Sequence, residues 1–246
     1  MSDQPTSLYG DQPEPPKPEA PGLMDQIAGV FTGPVELFRR LNRAPGWGWA
    51  LGAVIVAAVI LTVVWGLKVD MDEMLRPILE KNPQIASSQI DTIIDFYKKF
   101  IIPLGVFQSV VVTAVIVCFM ALVYWLVGKG LAEGEPPSYT QALSATVVPS
   151  LVRLPHMLLI AVICLVKPIG GLTPEKIAPT SLGFFIHPES VKLHALLYSL
   201  DLFYLAEIVL SFLAMRYLLR LKTGGAALCV AISLVLGIGL QVLRAK

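Results

Sequence analysis

Five long apolar stretches constrain the fold of this chain more than any other feature of its sequence. The first lies between Arg43 and Lys68, contains no charged side chain, and carries Trp47, Trp49 and Trp65 near its ends. A transmembrane helix needs about 20 apolar residues, and tryptophan is enriched where such a helix meets the lipid headgroups. The pattern therefore predicts a polytopic membrane protein, with spans near residues 46–67, 101–128, 141–166, 193–215 and 224–243.

The composition agrees with this class. Only 15% of the residues are charged, whereas a soluble domain carries roughly a quarter. The formal net charge of +1 gives no reason to expect nucleic acid as a partner. The three cysteines lie within apolar stretches and lack the spacing of a metal site, so we expect them to fill space in the membrane interior. We expect an all-α fold of five transmembrane helices, residues 44–246, with no cofactor and no metal ion.

The residues before the first span form two segments of different character. Residues 1–22 are rich in proline and polar residues, which bury little surface, and are predicted to be a disordered tail. Residues 23–43 repeat apolar side chains every three or four positions, with Pro34 placed as the first residue of a second helix. Arg39, Arg40 and Arg43 close this segment. An amphipathic helix with a basic end suits an anionic membrane surface, and the alternative is that it packs on the bundle.

Two further patterns predict local structure. Between the first and second spans, apolar residues recur with helical spacing on both sides of Asn82 and Pro83, which predicts two short amphipathic helices across one end of the bundle. The third span contains Pro149 and Pro155. Proline removes a backbone donor, so we expect this span to be kinked.

Four polar residues lie inside the predicted third and fourth spans. A charged side chain within a membrane helix is costly and normally has a partner in the bundle interior. His156 lies one turn beyond Arg153 on the same helix face, and the depth of Asp201 matches both, so Asp201 is the predicted partner of Arg153. Glu207 is six residues further on and falls on another face. The four residues form either a structural contact that docks two helices or a proton or ion relay.

The basic residues orient the predicted spans. Arg39, Arg40 and Arg43 lie close before the first span, and the other basic residues of that side crowd into short segments. The opposite side has more basic residues in total, but they are spread over two long loops. Because positive charges close to helix ends favour the cytoplasm, we expect a cytoplasmic N-terminus and an external C-terminus.

Three stretches, in this order, resemble the Yip family of membrane proteins (Ypt/Rab-GTPase-interacting, Yip-one domain) in its bacterial form. They are residues 31–47 (FTGPVELFRRLNRAPGW), the turn and third span over residues 128–155, and PTSL at 179–182 followed by LLYSLDLF at 196–203. The resemblance covers roughly residues 31–243. It implies a cytoplasmic N-terminus and a role in membrane organisation, and eukaryotic relatives act with Rab GTPases in vesicle traffic.

These observations lead to one main expectation and one alternative. We expect a non-enzymatic integral protein of a bacterial inner membrane, which scaffolds partners or shapes the bilayer. Its expected partners are lipids and other membrane proteins or a second copy of itself, with a GTPase expected by family analogy alone. The alternative is a small transporter or channel subunit that uses Arg153, His156, Asp201 and Glu207.

Overall fold

A computed structural model describes residues 19–177, 179–186 and 190–244, without the side chains of residues 191, 195, 199 and 238–244. The predicted disordered tail lies outside the described residues, except for its last four. No β-strand occurs in the described part of the chain. The helices are α1 Leu23–Thr32, α2 Pro34–Arg43, α3 Gly48–Lys68, α4 Met71–Glu80, α5 Ser87–Phe107, α6 Thr113–Leu131, α7 Tyr139–Val147, α8 Leu154–Val166, α9 Pro174–Ile177, α10 Leu182–Phe185, α11 Val191–Ser199, α12 Leu202–Tyr217 and α13 Thr223–Arg244.

Three helical stretches among the described residues are long and apolar enough to cross a membrane: Gly48–Lys68, Ser87–Leu131 and Tyr139–Val166. The predicted all-helical membrane architecture is thus confirmed with three candidate spans among the described residues. The second stretch joins α5 to α6 through a π-helical segment, Gln108–Val112. Its 45 residues rise about 67 Å, roughly twice the hydrocarbon thickness. The second amphipathic helix predicted in the loop is therefore wrong as a separate element, because its residues form the first turns of α5.

The third stretch has the predicted kink. A 3₁₀ segment, Val148–Arg153, separates α7 from α8. Pro149 is the second residue of this segment, and Pro155 is the second residue of α8. Proline cannot donate the backbone hydrogen bond that a continuous α-helix requires there. The tighter 3₁₀ winding reorients the chain and places Arg153 at the start of α8.

The fourth predicted span, residues 193–215, is wrong as one continuous helix. The backbone of Leu200 leaves the helical region with φ −93° and ψ 72°, so α11 ends before it and α12 begins at Leu202. Two backbone hydrogen bonds hold the break, from Leu202 N–H to the Thr180 carbonyl (3.1 Å) and from Leu182 N–H to the Leu200 carbonyl (3.2 Å). Helix α13 covers the fifth predicted span.

The segment over residues 23–43 forms α1 and α2, with Pro34 as the first residue of α2, as predicted. Leu37, Phe38 and Leu41 are at most 3% exposed and belong to the main core of the bundle. The buried Gln26 side chain also donates hydrogen bonds to the carbonyls of Pro21 (2.8 Å) and Gly46 (2.7 Å). Leu37, Phe38 and Leu41 thus pack on the bundle, as in the alternative given above, while Met24 and Phe31 are 77% and 51% exposed. Contact of this segment with a membrane surface stays a prediction.

The bundle has two distinct ends. At one, which we call the arginine end, the end of α2 meets the turns between α6 and α7 and between α12 and α13. At the other, the loop end, the end of α3 meets α4 and the segment after α8, where Trp65 Nε1 donates to the Leu172 carbonyl (2.9 Å) and Asp70 N–H donates to the Gly170 carbonyl (2.8 Å). The two ends therefore differ in the chain segments and side chains that meet there.

Candidate functional site

The first candidate site is a polar contact between the 3₁₀ segment and α12. Arg153 Nη1 lies 3.7 Å from Glu207 Oε2. Arg153 therefore pairs with Glu207, and the prediction that it pairs with Asp201 is wrong. The reason is the break before α12: Asp201 lies at the start of the helix, whereas Glu207 lies within it, opposite Arg153.

Asp201 has a different structural role, as the N-cap of α12. Its Oδ1 accepts a hydrogen bond from Tyr204 N–H at 2.9 Å, and its backbone bridges to Ser181. An N-cap carboxylate satisfies one of the free N–H groups that begin a helix. Asp201 is 8% exposed, so this cap is formed inside the protein.

His156 fastens the same region from the side of α8. Its Nε2 lies 3.1 Å from Thr180 Oγ1, and its ring stacks on that of Phe203, with centroids 5.4 Å apart and planes 5° from parallel. His156 and Asp201 thus hold the segment around Thr180 between α8 and α12. The structure brings all four predicted polar residues to one region, but only Arg153 and Glu207 pair with each other, while His156 and Asp201 bond to other residues.

The Arg153–Glu207 contact is an ion pair without a direct hydrogen bond, because 3.7 Å exceeds hydrogen-bonding distance. Arg153 Nε and Glu207 Oε2 are buried atoms that lack a hydrogen-bond partner. The side chains of Arg153 and Glu207 are 39% and 18% exposed. Since removing a charge from water is costly, each charge lowers the cost of burying the other. The arrangement suits a contact that fixes how α12 packs on the 3₁₀ segment.

The second candidate site is a cleft at the arginine end, with a volume of about 320 Å³. Of the three arginines predicted at the membrane surface, Arg39 and Arg43 line the cleft, while Arg40 does not. The other lining residues are Asn42, Glu133, Arg216, Tyr217 and Arg220.

The side chains of the cleft contact one another. The Arg39 guanidinium carbon lies 5.3 Å from the centre of the Tyr217 ring, and Arg216 Nη1 lies 3.7 Å from Glu133 Oε1 and also donates to the Leu221 carbonyl. In the sequence, Arg216 and Arg220 are only two of several basic residues near helix ends. Their meeting with Arg39 and Arg43 depends on tertiary packing, so the sequence pattern could not show it.

Comparison with known proteins places the chain in a family. No curated protein and no solved structure matches it. A family model described as the Yip1 domain matches residues 28–243. The match extends from α1 into α13 and includes both candidate sites. It confirms the resemblance to the Yip family, and the bacterial form stays a prediction. The chain therefore belongs to the Yip1 domain family of membrane proteins.

Proposed function

We propose that this protein is a non-enzymatic integral membrane protein that organises its membrane, by holding membrane-protein partners or copies of itself or by shaping the bilayer. The observation that carries this proposal is the use of the interior polar residues. Arg153 pairs with Glu207, Asp201 caps α12, and His156 contacts Thr180. Arg153 and His156 each fasten one element to a neighbour, and Asp201 fixes the start of its own helix, as expected of a structural bundle rather than of a conduit.

The outward surfaces of two spans support a role in lateral contacts. Only 11% of the apolar window is buried in Gly48–Lys68 and in Ser87–Leu131, against 44% in Tyr139–Val166. The first two therefore leave most of their apolar side chains at least partly exposed to their surroundings, which we take to be lipid acyl chains or other membrane proteins. A GTPase partner is part of the proposal by family analogy alone.

The proposed topology has five crossings, a cytoplasmic arginine end and an external C-terminus, in a bacterial inner membrane. Helix α13 has 22 residues, which rise about 33 Å and match the hydrocarbon thickness. Helices α11 and α12 together form the fourth crossing, with a break at Leu200. Basic residues crowd close to the helix ends at the arginine end, which supports a cytoplasmic location: Arg39, Arg40, Arg43, Lys129, Arg216, Arg220 and Lys222.

The second candidate function is a small transporter or channel subunit. The unpartnered Arg153 Nε and Glu207 Oε2 atoms favour it, because ionisable groups inside a membrane often mark an ion or proton path.

Reconstitution of the purified full chain into liposomes separates the two functions. We expect proton flux at the level of protein-free vesicles, together with clustering of labelled protein or a change in vesicle shape that grows with protein density. Proton flux that is present in the wild type and lost in Glu207→Gln would instead establish the transporter. If the protein changes neither the proton flux, nor the clustering of labelled protein, nor the vesicle shape, the proposed function is contradicted.

A further inference from the structure

The arginine cleft brings together four guanidinium groups from distant parts of the chain. Arg39 and Arg43 come from α2, Arg216 from the end of α12, and Arg220 from the turn before α13. Glu133 is the one carboxylate among the lining residues. Four positive charges against one negative charge leave the cleft with an excess of positive charge that a bound anion would neutralise.

Hydrogen bonds to the backbone fix the walls of this cleft. The Asn42 side chain donates to the Leu218 carbonyl (2.6 Å), and the Gln141 side chain donates to the Asn42 carbonyl (2.7 Å). Glu133 N–H donates to the Arg220 carbonyl at 2.8 Å. The three chain segments are therefore held at fixed positions before any ligand arrives, which lowers the entropic cost of binding.

Arg220 has a backbone conformation that costs energy. Its φ is +56°, which makes it the one non-glycine residue with positive φ in the described part of the chain. A side chain in the left-handed region costs on the order of 1 kcal/mol, and such strain tends to collect at functional sites. The turn thus directs a guanidinium group into the cleft at a position where glycine would be less strained.

In the proposed membrane placement, the cleft lies close to the depth of the lipid headgroups. It is formed where α12 ends at Tyr217 and just before α13 begins at Thr223. At the same end, Trp125 near the end of α6 packs edge-on against Tyr139, and the Lys129 ammonium lies 3.8 Å above the Trp125 ring. Aromatic and basic residues in such a group are typical of the membrane interface.

We propose that the arginine cleft is a binding site for a phosphate group, supplied by the headgroup of an anionic lipid or by a free phosphate. Guanidinium groups form paired, charge-assisted hydrogen bonds with phosphate oxygens, and the volume of about 320 Å³ is that of a small-ligand site. This inference rests on the membrane placement proposed above and names the ligand of its cytoplasmic end.

The test measures binding to the full chain in neutral detergent, with short-chain phosphatidic acid in one arm and inorganic phosphate in the other. We expect Arg43→Gln and Arg220→Gly each to weaken binding on the order of tenfold, the effect of losing one charge-assisted hydrogen bond. Glu133→Gln should tighten binding, because it frees Arg216 from a competing carboxylate. Arg40→Gln is the matched control, since Arg40 lies on the same helix outside the cleft, and it should change binding by less than about twofold.

The variants keep a folding defect apart from a binding defect. Arg220→Gly relieves the positive φ, so its thermal stability should not fall while its affinity does. Binding of phosphatidic acid alone identifies a lipid headgroup as the ligand, and comparable binding of inorganic phosphate identifies a free anion. Equal losses in Arg40→Gln and Arg43→Gln, or binding in neither arm, would overturn the site. Because solubilised protein is used, that result is distinguishable from a failure of the proposed membrane function.

Discussion

At the scale of single residues, the Arg153–Glu207 ion pair yields a direct prediction. Glu207→Leu leaves a guanidinium without its partner and should lower the free energy of unfolding by about 1–3 kcal/mol, less than for a fully buried pair because Arg153 is 39% exposed. The double variant Arg153→Leu/Glu207→Leu should recover much of this loss, because no unpaired charge remains. Thermal unfolding in detergent measures both, and strictly additive losses would show that the two side chains do not interact.

Asp201 gives a second prediction, which separates its capping role from its charge. Asparagine is as good an N-cap as aspartate, whereas alanine offers no acceptor. Asp201→Asn should therefore leave stability nearly unchanged, and Asp201→Ala should cost about 1 kcal/mol. If thermal unfolding shows that both variants lose the same amount, the charge of Asp201 near His156 matters and the capping account fails.

The sequence predicted which polar residues lie in the interior but not how they pair. Hydropathy gives the depth of Asp201, and depth alone matches it to Arg153. An aspartate directly before an apolar helical run is also an N-cap signal, and Asp201 before Leu202 fits that signal. That N-cap signal indicates a helix start at Leu202, which leaves Glu207 as the partner of Arg153.

At the scale of elements, close packing between α3 and α5 depends on glycine. A Cβ atom added at Gly105 would lie 2.5 Å from Thr62 Cγ2, and Thr62 is held by a 3.0 Å hydrogen bond between its hydroxyl and that of Ser109. Gly105→Ala should therefore cost about 1–3 kcal/mol through overpacking. Gly52→Ala, on α3, is the control, because nothing lies within 4 Å of its added Cβ. Thermal unfolding that ranks the two variants equally would contradict this packing.

The docking of α4 on α5 should depend on pH. Lys98 Nζ lies 2.5 Å from Asp72 Oδ2 and Arg76 Nη2 lies 2.9 Å from Asp72 Oδ1. These two hydrogen bonds hold the pKa of Asp72 below its ordinary value of 3.8, and the bond from Lys98 contributes most to the lowering. A lowered pKa means that the stabilisation is complete above pH 3.8 and is lost as the pH falls through the lowered pKa.

Hydrogen-exchange protection factors of α4 amides, corrected for intrinsic exchange, should thus decrease in acid, and Asp72→Asn should remove this dependence. An unchanged acid response in Asp72→Asn would assign it to another group, such as Asp91, which also contacts Arg76. Because Asp72 is 40% exposed, added salt should weaken the effect.

The elements that the sequence missed share a physical cause. Lys98 and Lys99 end the apolar stretch but not the helix, so the sequence pattern separates α5 from its amphipathic start. Leu200 is apolar, so hydropathy continues smoothly across a backbone break that long-range hydrogen bonds hold. The amphipathic pattern of residues 23–43 identified a buried face correctly but could not show whether lipid or protein covers it.

At the scale of the whole molecule, the length of the apolar stretches was enough to predict an all-helical membrane protein. The kink in the third span also followed from sequence, because the effect of proline is local. The arginine cleft did not follow, since it forms only when α2 packs between turns that are more than 80 residues away along the chain. The proposed function depends on this packing and on which side of the membrane the arginine end faces.

The proposed function depends on a topology of five crossings with the arginine end in the cytoplasm, and reporter fusions measure that topology. An enzyme that is active only outside the cytoplasm is fused after Ala44, Lys81, Gly134 and Lys246 in turn. We expect no activity after Ala44 and Gly134, at the arginine end, and full activity after Lys81 and Lys246. Activity after Gly134, or none after Lys246, would contradict the proposed topology.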